Sequence, residues 1–228
     1  MKVKILGTRG KIKPSAPKHR NYSGILIDDK ILVDIGEETY LKYSPEAVVF
    51  THFHPDHAFF VFDDQIFTPE IPLFGPESNE LIPNLNVISG PFHIDDYRFT
   101  PIPVIHALHL RSYAYIIEKG NKRIMITGDM AWIEKAELRD LPNMNLIITE
   151  GSFIRKGGMI RRKEDKIFGH TGIPDLIRIL GPLTNRIAFN HYGNWYFDDI
   201  QKANKTLKAF ATPKLEIIPG YDGLEITI

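Results

Sequence analysis

Three histidines and an aspartate crowd into the six positions His52-Phe53-His54-Pro55-Asp56-His57, directly after Ala47-Val48-Val49-Phe50-Thr51. The apolar run reads as a short buried strand. Pro55 lacks an amide proton and clashes with a preceding helical turn, so no single helix runs through the segment. The cluster is therefore expected on a loop at a strand's C-terminal end, with a helix starting near Asp56. Residues two apart in extended chain project to one side, so His52 and His54 point together while Asp56 and His57 turn toward a neighbouring position. Neutral imidazoles and carboxylate oxygens suit zinc and other borderline divalent metals, and the layout suggests two ions side by side. A solvated loop that happens to be rich in histidine is the competing reading, and so ordered a cluster disfavours it.

What the chain lacks narrows the chemistry further. It has no cysteine, which excludes disulfides, thiolate ligands and a cysteine nucleophile; any metal is held by His, Asp or Glu. No apolar run approaches the roughly 20 residues needed to span a bilayer, and the start lacks the apolar core of a signal peptide, so a cytoplasmic protein without membrane contact is expected. The 228 residues suit one domain over 1–228, with no convincing linker or internal repeat. Net charge is zero but unevenly placed. Lys2, Lys4, Arg9, Lys11, Lys13, Lys18 and Arg20 precede the first acid, and Arg155, Lys156, Arg161, Arg162, Lys163 and Lys166 form a second basic stretch. Solvated loops commonly explain such runs.

An acid or imidazole recurs just after apolar strands, at His52, His106, Asp129, Glu150 and His191. If those strands are sheet neighbours, their ends converge along one edge, where ligand-bearing loops belong. Lys2 to Leu6 alternates like an edge strand, and Ser23–Ile27 with Lys30–Asp34 reads as a hairpin around Asp28-Asp29. Asp34-Ile35-Gly36 ends the second arm, where Asp34 reads as a turn residue beside a Gly needed for positive φ; its resemblance to the strand-end Asp-x-Gly of a hydrolase family implies, as an equal alternative, that it orients the histidine loop. Phe59, Phe60, Val61, Phe62, Ile66 and Phe67 read as core, with a pocket wall as the alternative. Helices are expected over 132–141, 171–180 with Thr171 as N-cap, and 197–210.

His-x-His-x-Asp-His after a hydrophobic strand resembles the signature of the metallo-β-lactamase-fold hydrolases, and later motifs follow in that family's order. The resemblance implies an α+β fold, a four-layer αββα sandwich; strand periodicity alone says only mixed α and β. It also implies two metal sites: His52, His54 and a later histidine for one ion, Asp56, His57 and His191 for the other, with Asp129 of Thr127-Gly128-Asp129 bridging. His106, at the end of Pro103-Val104-Ile105, is the preferred later histidine; His109 is the alternative. Two ions about 3.5–4 Å apart would share a hydroxide that attacks the substrate. Zinc is the default; manganese and iron suit the same ligands.

Gly169-His170-Thr171-Gly172 resembles the segment carrying a catalytic histidine in the RNase Z and PhnP-like phosphodiesterase branch, with a plain helix entrance as the equal alternative. Asp56, Asp129 and His170 are thus the candidate catalytic residues. Clustered cations near the metals favour a small anionic, phosphate-containing substrate, while neutral overall charge argues against extended nucleic acid. Only 22 residues separate His106 from Asp129, too few for the tRNA-clamping arm of typical RNase Z. A cyclic or short nucleotide phosphodiester is the expected substrate. A lactonase or thioesterase on the same ions, or a binding protein without catalysis, are the competing functions.

Overall fold

In the computed structural model, which describes residues 1–228, the apolar runs become strands of two seven-stranded sheets. In chain order the elements are β1 (Lys2–Gly7), β2 (Gly24–Ile27), β3 (Ile31–Val33), β4 (Ala47–Val49), β5 (Leu73–Gly75), β6 (Leu85–Val87), β7 (Phe92–Ile94), β8 (Tyr97–Val104), β9 (Ser112–Lys119), β10 (Lys122–Ile126), α1 (Lys135–Leu138), β11 (Leu146–Gly151), β12 (Met159–Lys163), β13 (Lys166–His170), α2 (Ile173–Leu180), β14 (Arg186–Tyr192), α3 (Asn194–Asp198), α4 (Ile200–Lys208), β15 (Glu216–Pro219) and β16 (Leu224–Thr227). The first sheet runs β16-β1-β2-β3-β4-β5-β6 and the second β15-β14-β11-β10-β9-β8-β7. Strands β12 and β13 form a hairpin of their own.

Three buried clusters fill the three interfaces of the expected four-layer α+β sandwich. Between the sheets, Ile5, Ile25 and Val33 meet Tyr115, Ile126 and Ile148. Outside the first sheet, Leu26, Val48 and Phe50 pack beneath Tyr40, Phe60 and Phe67. Outside the second, Ile116, Met125, Ile147 and Phe189 pack beneath Leu176, Leu180, Tyr196 and Leu207. Because Ile147 faces the helices and its neighbours Leu146 and Ile148 face the other sheet, β11 has no solvent face, and its sequence is continuously apolar. Fully burying each such Ile or Leu contributes about 1.5–3 kcal/mol.

Parallel pairing sets where the site forms. β3, β4, β5 and β6 run parallel in the first sheet, as do β10, β11, β14 and β15 in the second. Their C-terminal ends therefore collect on one rim, and β8 delivers His106 to the same place.

Several local expectations need correction. β1 is not an edge strand, because β16 pairs along it opposite β2. No helix starts at Asp56: the amides of His57 and Ala58 both reach the His54 carbonyl at 2.9 Å, and the next amide, Phe59, crosses to Ile35. Backbone bonded to β3's extension cannot also propagate a helix. Helix 132–141 shrinks to α1, and 197–210 splits at Asp199, whose extended backbone (φ −158°) and carboxylate on the Lys202 amide start α4 afresh. Gly172, not Thr171, occupies the N-cap of α2; the Thr171 hydroxyl donates to the Ala131 carbonyl. Phe60 and Phe67 are core, but Phe62 and Ile66 are exposed. The basic stretch before His170 is the hairpin β12–β13, whose polar alternation hides it among loop-like residues.

Candidate metal centre

The histidine loop is held at both ends by Asp34. Its carboxylate accepts the Thr51 amide at 2.7 Å and the Thr51 hydroxyl at 2.8 Å, and meets His57 Nδ1 at 2.7 Å. This is the orienting role; Asp34 itself takes the left-handed conformation (φ 60°). Gly36 serves close approach and not positive φ: a Cβ there would lie 2.4 Å from the Asp56 carbonyl oxygen. Gly128 needs both freedoms, with φ +57° and a would-be Cβ 2.8 Å from the Thr51 side chain. It lets Thr127-Gly128-Asp129 settle against the histidine loop.

Asp129 stands at the middle of the cluster. Its Oδ2 lies 4.0 Å from His52 Nε2 and 3.7 Å from His106 Nε2, while His54 Nδ1 is 3.0 and 2.9 Å from those two nitrogens. Its Oδ1 lies 3.4 Å from His57 Nε2 and 3.3 Å from His191 Nδ1, and His191 Nε2 is 3.0 Å from Asp56 Oδ2. The structure thus brings together His52, His54, His106 and Asp129 as one donor group and Asp56, His57 and His191 as another. His109 is exposed and outside both.

Strand ends aim these side chains. The register of β11 on β14 shifts between Asn190 and Tyr192, leaving His191 as an extra residue with φ 48°. Such a bulge turns a side chain off the ladder, here into the site. His106 is held by an exchange with Gly169: the Gly169 amide donates to the His106 carbonyl at 2.7 Å, and His106 Nδ1 donates to the Gly169 carbonyl at 2.9 Å. Gly169 takes φ +117°, where a Cβ would sit 2.0 Å from the Met159 carbonyl.

The donor chemistry fits a cation. With its proton on Nδ1, neutral His106 turns a lone pair on Nε2 toward His54 Nδ1, and neither repulsion nor a lone proton explains why further nitrogens converge there. For metal bonds of about 2.0–2.1 Å, tetrahedral ligand atoms lie roughly 3.3 Å apart, close to the spacings observed. Asp129 Oδ1 is buried with no hydrogen-bond partner, an unmet acceptor that a cation would satisfy. Both groups could hold a divalent ion, with Asp129 common to them.

Protonation divides the cluster. Burial, followed by the neighbouring imidazoles, pushes His52 well below its usual value and His54 down to about 4; burial also lowers His106. Burial opposes charge on His57 too, but Asp129 and Asp34 outweigh it and hold that imidazole well above its usual value. His191 is raised in the same way by Asp129 and Asp56. Burial would raise the two aspartates; the His191 bond and the His57 ring bring Asp56 down, and His191 and His57 do the same for Asp129.

His170 ends β13 beside this cluster. Its Nδ1 lies 2.6 Å from Glu150 Oε2 and 3.9 Å from Asp129 Oδ2. Against burial, Glu150 and then Asp129 lift it to about 9. Glu150 is 1 % exposed, and its other oxygen accepts the Met130 amide at 2.7 Å. Along the chain Glu150 reads only as a strand-end acid; its pairing with His170 joins it to the site. Ser152, whose hydroxyl meets His191 Nδ1 at 3.0 Å, left no sequence signal at all.

A cavity of about 430 Å³ opens over the cluster, bounded by Lys11, Ile12, Asp129, Phe153, Met159, His170, His191 and Trp195. Lys11 is the sole lysine or arginine on its wall. The second basic stretch does not line it. Arg161 reaches back only to Met159 Sδ, and Arg162 borders a different groove with Trp132 and Asp165.

Against known proteins, the family model described as the beta-lactamase superfamily domain matches residues 41–190. A curated relative, the hydroxyacylglutathione hydrolase of Yersinia enterocolitica, is 28% identical over 108 residues, 41% of this chain and 43% of that protein, so the match spans under half of the relative. Among solved structures, the metallo-beta-lactamase fold protein YhfI of Bacillus subtilis superposes with a TM-score of 0.73 at 18% identity, covering 99% of this chain and 98% of that one. A diphosphatase of the PhnP family gives 0.70 at 16% identity, covering 100% and 97%. These likenesses concern the fold. No helix of this chain is long and apolar enough to cross a membrane.

Proposed function

Starting from the fact that this chain belongs to the beta-lactamase superfamily domain family, we propose that it is a metal-dependent hydrolase of phosphodiesters. His52, His54, His106 and Asp129 would hold one divalent ion and Asp56, His57, His191 and Asp129 the other, with zinc the first candidate. When bound, the ions acidify a water and neutralise charge on the oxygens of the reacting group. The remaining work falls to the protein. Asp34, Ser152 and the Gly169 carbonyl keep the imidazoles oriented, and Lys11 offers a cation at the rim for a substrate anion.

The observation that carries the phosphodiester reading is the Glu150–His170 pair. A buried carboxylate at 2.6 Å keeps a proton on Nδ1, so the ring turns Nε2 toward the cavity. The Glu150 carboxylate favours the doubly protonated ring, so His170 can enter the reaction as an acid. It can steady a phosphoryl oxygen and give the Nε2 proton to the leaving alkoxide. Carboxylic esters of activated alcohols or thiols have less need of that acid, because their leaving groups depart as anions.

The partial match to a hydroxyacylglutathione hydrolase favours a second reading, hydrolysis of a thioester on the same ions. A panel of phosphodiesters, thioesters and lactones, run with zinc- and manganese-loaded protein, separates the two. Turnover of phosphodiesters at least tenfold above the others is expected; turnover of thioesters alone would exchange the readings.

A further inference from the structure

The hairpin β12–β13 has two faces, and only one of them serves the metals. Met159 and His170, opposite each other in the ladder, line the metal cavity. Arg162 and Ile167 are also opposite each other, but an odd number of residues further along β12, so they point to the other face. There they border a second hollow of about 660 Å³, which Ile105 and Ala107, the neighbours of His106, also line. Val104, Leu108, Leu110 and Trp132 make its other walls apolar. Ser112, 3 % exposed, lines the same hollow with a hydroxyl that has no hydrogen-bond partner. Buried polar groups nearly always have one, so a lone hydroxyl marks a place where a further molecule can complete the bonding. The charged residues on the wall are equally unpaired. Arg111, Arg162 and Lys166 stand with Glu134 and Asp165, and none of the five forms a salt bridge. Three cations against two carboxylates leave a surplus of one positive charge.

We propose that this hollow is a second ligand site, for an amphipathic monocarboxylate: an apolar body carrying one carboxylate head. The surplus charge matches a single anion. Arg162 offers parallel N–H donors that suit the two oxygens of a carboxylate, and the Ser112 hydroxyl adds a neutral donor. Val104, Leu108, Leu110 and Trp132 receive the apolar body, in a volume ordinary for a small-molecule site. The site is separate from the metal cavity, because the two share no lining residue. It therefore does not depend on which ester the metals cleave. Its occupant touches the back of the hairpin that presents His170 on its other face.

Trp132 reports on the hollow directly. In metal-loaded Trp195→Phe protein it is the remaining tryptophan, and titration with octanoate should change its fluorescence saturably. Octanoate should bind about tenfold more tightly than octylamine, a difference of about 1.4 kcal/mol, with octanol between them. Arg162→Ala and Ser112→Ala should each raise the octanoate Kd by about threefold or more, the scale of one lost charge contact or hydrogen bond. Lys11→Ala, which alters the metal cavity, should leave that Kd unchanged. Absence of a saturable change overturns the proposal, and so does equal affinity for octanoate and octylamine. A Kd that responds to Lys11→Ala and not to Arg162→Ala also overturns it, because the carboxylate would then sit on the metals. Arg162 is exposed, so its variant tests the head group without disturbing the core. Metal content and melting temperature matched to the parent exclude misfolding as the cause of a loss in Ser112→Ala.

Discussion

The imidazoles on the two sides of Asp129 are almost equally deep in the protein, yet they sit at opposite ends of the protonation scale. His52, His54 and His106 meet mainly one another, and burial strips their protons. His57, His170 and His191 are buried too, but Asp129 with Asp34 raises His57, Glu150 raises His170, and Asp129 with Asp56 raises His191. Carboxylate placement, not depth, decides the state. The first half is ready to take up a cation as it stands. The second must release protons when it does so.

Removing the one residue common to both halves tests the comparison hardest. Asp129→Ala should lose both ions, measured by elemental analysis after dialysis, with activity falling by about 10³-fold or more. One equivalent retained tightly would mean that the halves are independent. A ligand of one half should behave differently: His106→Ala weakens one ion and spares the other, whereas His109→Ala leaves both in place.

His170→Ala comes next in size. It should keep both ions and lose about 10²- to 10⁴-fold in kcat on phosphodiesters with alkyl leaving groups, and less with p-nitrophenyl esters, which hardly need a proton. Glu150→Gln should follow it with about a 10- to 100-fold loss, as for other residues that orient a site histidine. Equal losses on alkyl and p-nitrophenyl esters would remove the acid role.

The pH dependence of metal uptake sharpens the contrast directly. Raised imidazoles hold their protons to higher pH than ordinary ones, so binding there displaces protons and affinity climbs as pH rises. Lowered imidazoles are neutral at pH 7, so their affinity holds to lower pH than that of the raised ones. Calorimetry in buffers of different ionisation enthalpy should therefore find one equivalent taken up with proton release at pH 7 and one without. Equal release by both would erase the difference.

The smallest effects belong to the surface cations. Lys11→Ala should raise KM by about two- to fivefold and flatten its salt dependence, the scale of an exposed charge contact. Arg161→Ala should do less, and Arg162→Ala, which borders another groove, should do nothing to KM. A larger effect from Arg162 than from Lys11 would relocate the mouth of the site.

Much of this was legible along the chain because it depends on local period and residue chemistry. Apolar runs announce β4, β11 and β14 by burial on both faces, and the Asp28-Asp29 hairpin follows from turn residues that tolerate φ values of 49° and 58°. The helices over 132–141 and 197–210 are shorter than their periodicity suggests, because helical period does not reveal where backbone amides find partners outside the helix. The hairpin β12–β13 escaped because both its faces are largely polar.

The amino-acid sequence by itself determined which atoms are available to a metal: without cysteine only imidazole and carboxylate remain, and Pro55 keeps the histidines on a loop. Tertiary structure decided which of them meet. His106 rather than His109 faces His54 because β8 ends where Gly169, 63 residues on, exchanges two hydrogen bonds with it. His191 reaches Asp56 across 135 residues through a bulge that no local pattern marks. Glu150 joins His170 only because β11 and the hairpin end side by side. Such pairings close long loops between different sheets, and their geometry depends on every register in between, which no window of sequence contains.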